Sequence, residues 1–243
     1  MANSAQPLSF INVVRFIRNN RGCAVVQELV QKKTLKKGIL IAIEGIDGAG
    51  KTTQSRLLYE RIKNNGYSTV LLHEPTDGQW GKKIRELAIN GRHKVTAEEE
   101  LELFYRDRLE DVDENICPNI EKKSIVIMDR YYFSSVAYQG ANGLNLDYVE
   151  KRNKEIAPIP DMLIILDIPP SESIRRIRAT RADGPNHFEQ AEYLEKVRGI
   201  FLNQFNGRPY VAIIDGDGRH SEEQISDSLW SLVEPLIREL EES

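Results

Sequence analysis

The sequence predicts an α/β fold of three layers, with a five-stranded parallel sheet and helices on both faces. Two observations carry that expectation. Five short apolar runs, ILIAIE (39–44), STVLL (68–72), SIVIMD (124–129), DMLIILD (161–167) and YVAII (210–214), are separated by longer helical stretches. The first run leads directly into GIDGAGKT (45–52), a glycine-rich turn that opens the next helix. Strands that alternate with helices pair in parallel through right-handed crossovers.

The elements follow in order. Residues 1–37 hold Arg15, Arg18, Arg21, Lys32, Lys33, Lys36 and Lys37 against one acid, Glu28. This head therefore carries +6, and in a chain of net charge −4 the remainder carries −10. Phe10, Val13, Val14 and Ile17 fall at helical spacing, which predicts a basic helical extension (1–37) ahead of a domain spanning 38–243. The head also resembles a targeting peptide in part. Helix 51–64 ends at Asn65-Gly66, a C-cap signal. Helix 79–90 stops at Gly91. Helix 96–116 opens on Thr96 with Glu99 three places on, a capping box. Further helices are predicted over 147–157, 171–181, 187–205 and 221–240. There is no internal repeat and no low-complexity linker.

Composition narrows the function classes. At 40% hydrophobic and 29% charged, the chain has the material for a core. No stretch approaches the roughly 18 consecutive apolar residues of a membrane helix. The net charge gives no case for nucleic acid as a partner. Cys23 and Cys117 stand far apart in no metal or redox spacing, which predicts no disulfide framework and a reducing, cytoplasmic compartment. His73, His93, His187 and His220 are scattered and form no zinc pattern.

GIDGAGKT fits G-x-x-x-x-G-K-[ST] and has the required strand before it and helix after it. Its glycines let successive N–H groups converge on one anion, and the helix adds the positive end of its dipole. The expected phosphate cradle for ATP is Gly45, Ile46, Asp47, Gly48, Ala49, Gly50, Lys51, Thr52 and Thr53. Lys51 would reach the β- and γ-phosphates, and Thr52 would ligate Mg²⁺. A switch GTPase would need N-K-x-D after a later strand. The chain offers only Asn153-Lys154-Glu155.

A second site is expected where SIVIMD ends in Asp129 and Arg130. In parallel α/β sheets ligands sit at the carboxyl ends of strands. There Asp129 supplies a carboxylate near Mg²⁺, and Arg130 offers a planar fork for phosphate. A plain salt pair between the two is the competing reading.

From Gly38 onward the chain resembles the thymidylate kinase family of P-loop nucleoside monophosphate kinases. The resemblance rests on EGIDGAGKTTQ, HEP, LFYRDR, DRYYFSSVAYQG, PDMLIILDIPP and the arginine-rich segment that follows. It implies transfer of the γ-phosphoryl of ATP to dTMP, with Mg²⁺, in a homodimer, and helix 96–116 is a candidate interface. Carried onto this sequence, Phe104 stacks on thymine and Arg108 hydrogen-bonds a base carbonyl. Ser135 and Gln139 read the base edge, and Tyr138 crowds the 2′ position. Arg85 and Arg130 grip the dTMP phosphate, Asp47 lies near the 3′-OH, and Glu74 and Pro75 line the acceptor pocket.

No basic residue occupies the variable positions of the loop, Ile46 to Ala49, so charge compensation must come from elsewhere. SIRRIRATRADG supplies Arg175, Arg176, Arg178 and Arg181 ahead of a flexible break, and Arg178 and Arg181 are the expected catalytic pair beside Lys51, Asp47 and Arg130. Two departures from the family pattern stand out. Asn186-His187-Phe188-Glu189 replaces Asp-Arg-Phe-Glu, and His73 stands where Arg commonly precedes Glu-Pro. Two rival readings are a kinase for another deoxynucleotide or deoxynucleoside and a non-catalytic nucleotide-binding module.

Overall fold

A computed structural model describes residues 13–18, 24–29, 32–91, 95–180, 187–216 and 218–242. Side chains are described throughout these ranges except at 13–18, 24–29, 180 and 187–190. The described residues form β1 (Val13–Arg18), β2 (Ala24–Leu29), β3 (Ile39–Glu44), α1 (Lys51–Asn64), β4 (Thr69–His73), α2 (Gln79–Asn90) and α3 (Ala97–Asp111). They continue through α4 (Cys117–Glu121), β5 (Ile125–Asp129), α5 (Tyr132–Ala141), α6 (Leu146–Lys154) and β6 (Met162–Asp167). Last come α7 (Pro170–Thr180), α8 (His187–Phe205), β7 (Val211–Asp215) and α9 (Glu222–Leu240).

The main sheet has the order β4-β5-β3-β6-β7, and every pairing in it is parallel. Each predicted strand is present to within a residue. All six residues of β3 are buried, as an apolar run covered on both faces requires. Strand order reverses at β3, which has β5 on one side and β6 on the other. The crevice above that switch point opens at the carboxyl ends of β3 and β5, where Ile43 lies beside Asp129. Helix α1 buries Gln54, Ser55, Leu58 and Ile62, and α9 meets it with Ile225, Leu229, Val233 and Ile237, a strict four-residue spacing.

Three elements differ from expectation. The head, where described, is extended: β1 and β2 pair antiparallel, with Val13 opposite Leu29 and Arg18 opposite Ala24. The helical spacing there coincides with VVRFIR and AVVQEL, and β-branched residues in such runs favour strand over helix. Phe10 lies outside the described residues. Helix 96–116 divides instead. Its capping box forms as predicted, but α3 gives way to a π-helical turn at Val112–Ile116 before α4. Pro118 has no N–H to give the preceding turn, and the wider turn lets the Cys117 N–H reach the Val112 carbonyl. Finally, α5 was not predicted. Its N-cap position holds Tyr131, which supplies no side-chain cap.

Residues 33–36 lie against the body. Lys33 N–H donates to Gly66 O at 3.0 Å and Lys36 N–H to Leu240 O at 2.8 Å, while Glu242 N–H donates to Thr34 O at 3.0 Å. Leu35 is buried in the core, and Lys33 pairs with Glu241 at 3.1 Å.

Helix α5 is locked by aromatic packing. Phe133 is fully buried, stacks on Tyr132 at 4.0 Å between centroids, and meets the edge of Phe205 at 5.0 Å. Phe133→Ala is expected to destabilise the fold by about 3–5 kcal/mol, through lost transfer energy and the cavity left behind, read as a lower urea midpoint at unchanged m-value.

Candidate active site

The loop between β3 and α1 needs glycine for reasons of space as well as torsion. Gly45 has φ +141°, and a Cβ there would stand 2.4 Å from Leu166 O. Gly48 has φ +75°, and its Cβ would stand 2.9 Å from Ser173 O. At the start of α1, Gly50 provides no side-chain cap, so the first N–H groups of the helix face the loop's interior. Lys51 Nζ donates to Gly45 O at 2.9 Å and Ile46 O at 2.7 Å. Thr52 Oγ1 donates to Asp129 Oδ2 at 2.6 Å, which joins the two expected Mg²⁺ ligands across the crevice.

Helix α7 holds the loop from outside. Ser173, fully buried, donates to Asp47 O at 2.6 Å. Arg176 donates to Gly48 O at 3.3 Å and Gly216 O at 2.7 Å. Glu172 accepts from both Arg175 and Arg176 at 2.6–2.7 Å.

Beyond β5 the backbone turns sharply at Arg130, whose φ of +68° is a left-handed conformation rare for a residue with a side chain. The Arg130 guanidinium pairs with Asp47 and donates to Ser134 Oγ at 3.2 Å. The Tyr138 hydroxyl accepts from Asp47 N–H at 3.1 Å, and the Tyr138 ring lies 5.6 Å from the guanidinium.

Deeper in, Arg108 is buried and saturated. It donates to both Glu74 oxygens, to Asn153 Oδ1 and, at 3.3 Å, to Ser135 Oγ. Burial pushes the Glu74 carboxyl upward while Arg108 pulls it back. Arg85 donates to Pro75 O at 3.0 Å and to Asp77 at 3.2 Å. His73 Nδ1 lies 3.0 Å from Pro75 O, so its role here is to brace the same turn.

All ten residues assigned to the acceptor pocket, Asp47, Glu74, Pro75, Arg85, Phe104, Arg108, Arg130, Ser135, Tyr138 and Gln139, line one cavity. Both side-chain polar atoms of Gln139 are buried there without a protein hydrogen bond. A second cavity is walled by Asp47 to Thr53 and by Glu172, Arg175 and Arg176. The two cavities share Asp47 and Arg130.

A family model for thymidylate kinase matches residues 43–228. The chain belongs to the thymidylate kinase family. Among similar proteins, a thymidylate kinase of Xanthomonas euvesicatoria is 49% identical over 191 residues, 79% of this chain and 78% of that protein. A probable thymidylate kinase of Archaeoglobus fulgidus is 39% identical over 82% of this chain and 96% of its own length. The crystal structure of thymidylate kinase from Ehrlichia chaffeensis superposes with a TM-score of 0.66 at 25% identity, covering 81% of this chain and 98% of that one.

Other predicted residues of this family member stand apart. Gly45 and Ile46 lie beneath the cradle and present carbonyls to Lys51. Arg178 is exposed and outside the wall that Arg175 and Arg176 form, and Arg181 lies outside the described residues. Sequence reasoning missed Glu44, Ser134, Ser173 and the Glu172–Arg176 pair. A glutamate ending an otherwise apolar strand was the visible signal for Glu44.

Burial, then the neighbouring Arg130, pushes the Lys51 ammonium down to about 8 from 10.5. Between those values the unfolded chain binds more protons than the folded one, so this group's contribution to stability rises with pH. In the absence of added nucleotide, the stability of wild type relative to Lys51→Met should therefore climb from about pH 8 to 10.5. A flat difference in paired denaturation curves would contradict the shift.

Proposed function

We propose that this chain transfers the γ-phosphoryl group of ATP to dTMP, giving dTDP and ADP for DNA precursor synthesis. The observation that carries the reading is the pair of cavities meeting at Asp47 and Arg130. One side is a glycine cradle that fits a triphosphate. The other is a pocket with an aromatic ring and a buried amide lacking partners, which fits a base with adjacent donor and acceptor.

Transfer between two anions needs positioning and charge compensation above all. Lys51 and the amides opening α1 hold the β- and γ-phosphates of the donor. Arg130, with Arg85 at the far wall, holds the phosphate of the acceptor. Asp47 restrains Arg130 and lies where it can accept from the sugar 3′-OH. Phe104, Ser135 and Gln139 orient the base, Arg108 meets a base carbonyl by exchanging one of its present partners, and Tyr138 closes the space beside C2′. Arg175 and Arg176 stand at the donor wall, with Arg178 and Arg181 further along the segment. An arginine brought over the transferring group is worth about 10³ in rate or more.

Thr52 and Asp129 fit Mg²⁺, since a hydroxyl and a carboxylate oxygen side by side at the cradle suit a hard cation. Bound with ATP, it would supply charge neutralisation to the phosphates during transfer. The reading also keeps residues 1–37 as an extension to a kinase domain of 38–243, a cytoplasmic location, and a homodimer through the α3 region. Among the described residues no helix is long and apolar enough to cross a membrane.

A coupled ADP-release assay across dTMP, dUMP, dCMP, dGMP and thymidine tests the reading. dTMP should be the best acceptor, and Lys51→Ala should lower turnover by orders of magnitude while the protein stays folded. Preference for thymidine over dTMP would overturn it.

A further inference from the structure

Glu44 has no part in the wall of either cavity, yet it is a fully buried carboxylate at the end of β3. Its contacts run in one direction. Oε1 accepts from Tyr131 N–H at 2.8 Å and from Ser134 N–H at 2.9 Å, and Oε2 accepts from Ser134 Oγ at 2.7 Å. Tyr131 is the N-cap residue of α5 and Ser134 its third helical residue. These are the two backbone donors that a capping box ordinarily satisfies from within the helix. Here one carboxylate from a neighbouring strand satisfies both.

The same contacts fix Arg130. Its own N–H donates to Ile43 O at 3.0 Å, and the next N–H along the chain, that of Tyr131, is held by Glu44. Between these two anchors the backbone keeps its left-handed turn. The side chain is tied as well, since the Ser134 hydroxyl that donates to Glu44 accepts from the Arg130 guanidinium at 3.2 Å.

We propose that Glu44 is a positioning residue for the acceptor phosphate: by capping α5 from β3 and anchoring Ser134, it aims Arg130 at the junction of the two cavities. The inference rests on the dTMP kinase reading for the identity of that phosphate. It is a claim about reach and hydrogen bonding rather than charge, which makes two conservative variants decisive. Glu44→Gln keeps the length and one oxygen for both amides, and its Nε2 can donate to Ser134 Oγ. Glu44→Asp keeps the charge but withdraws the carboxylate by one methylene, beyond reach of the α5 amides.

Steady-state kinetics with dTMP and ATP varied separately provide the test, with wild type alongside. For Glu44→Gln the KM for dTMP should stay within about threefold of wild type, and for Glu44→Asp it should rise about tenfold or more with the ATP KM little changed. Equal impairment of both variants would overturn the inference, as would a parallel rise of the two KM values in Glu44→Asp. A lower melting temperature with unchanged KM would reduce Glu44 to a structural role and overturn it too. Should Glu44→Asp not fold, Glu44→Gln and Ser134→Ala decide together: a near-normal KM for dTMP in the first with a rise of about fivefold in the second supports the proposal, and a roughly tenfold rise in Glu44→Gln or an unchanged KM in Ser134→Ala ends it. Wild type that leaves dTMP unphosphorylated removes the functional reading itself, whereas active wild type with indifferent variants removes only the role of Glu44.

Discussion

The pairing of charges where β3 and β5 end constrains everything around it. Glu44, Lys51 and Asp129 are buried there, with Arg130 half-buried beside them. A buried charge is tolerated only with partners of fixed geometry. Glu44 has amide and hydroxyl donors, Lys51 has two loop carbonyls, Asp129 has Thr52, and Arg130 has Asp47. Phosphate oxygens can replace the loop carbonyls around Lys51 and the carboxylate on Arg130. The groups that make the site stable in itself are thus the ones that can exchange partners for nucleotide. Parallel strands with crossover helices make the arrangement possible, because they bring the ends of β3 and β5 side by side although more than eighty residues separate Glu44 from Asp129 in sequence.

Much of this was legible in the chain. The five apolar runs became the five strands of the main sheet, and GIDGAGKT became a turn in which Gly45 and Gly48 face backbone too close for a Cβ. The ten acceptor residues converged on one cavity, although they come from loops and helices far apart in sequence. That convergence came from resemblance rather than from spacing. What escaped has a common cause. Helix α5 carries no capping residue of its own, and its opening Tyr-Tyr-Phe-Ser-Ser reads as strand or turn. Local signals cannot reveal a cap donated by Glu44 from ninety positions upstream of Ser134. Arg176 was likewise passed over for Arg178 and Arg181, while the contacts that recruit it come from Gly48 and Gly216.

The head shows the opposite failure, a local signal that was present but ambiguous. Val13, Val14 and Ile17 satisfy a helical period, yet VVRFIR is also a β-branched run with a similar run, AVVQEL, to pair with. Periodicity over so few residues does not discriminate the two, and propensity favours the strand. The following stretch is bound to the body by backbone hydrogen bonds to the ends of α1 and α9 and by the burial of Leu35. Lys33 adds an ion pair to Glu241 and a hydrogen bond to Tyr67 at 3.2 Å. The basic head therefore enters the domain through a stitched seam, which fixes where β1 and β2 are tethered.

Two helices begin at the crevice, and their starts are treated differently. The first-turn amides of α1 have no side-chain cap, and the glycine loop curls in front of them. That end keeps its donors for an anion, and the dipole favours one there. At the start of α5 the amides of Tyr131 and Ser134 are already taken by Glu44, so that end is tied to β3. It serves instead as a fixed origin. Ser134, Ser135, Tyr138 and Gln139 follow at helical spacing and share one face, spanning about 7.5 Å of axial rise between the first and last. A slip of α5 would move all four at once, together with Arg130 at its root. In the proposed complex those residues meet phosphate, sugar and base in turn, so a single anchor at the start of the helix sets the register for the whole nucleotide. An anion at that start would compete with the anchor, and a buried carboxylate already in place prevents it.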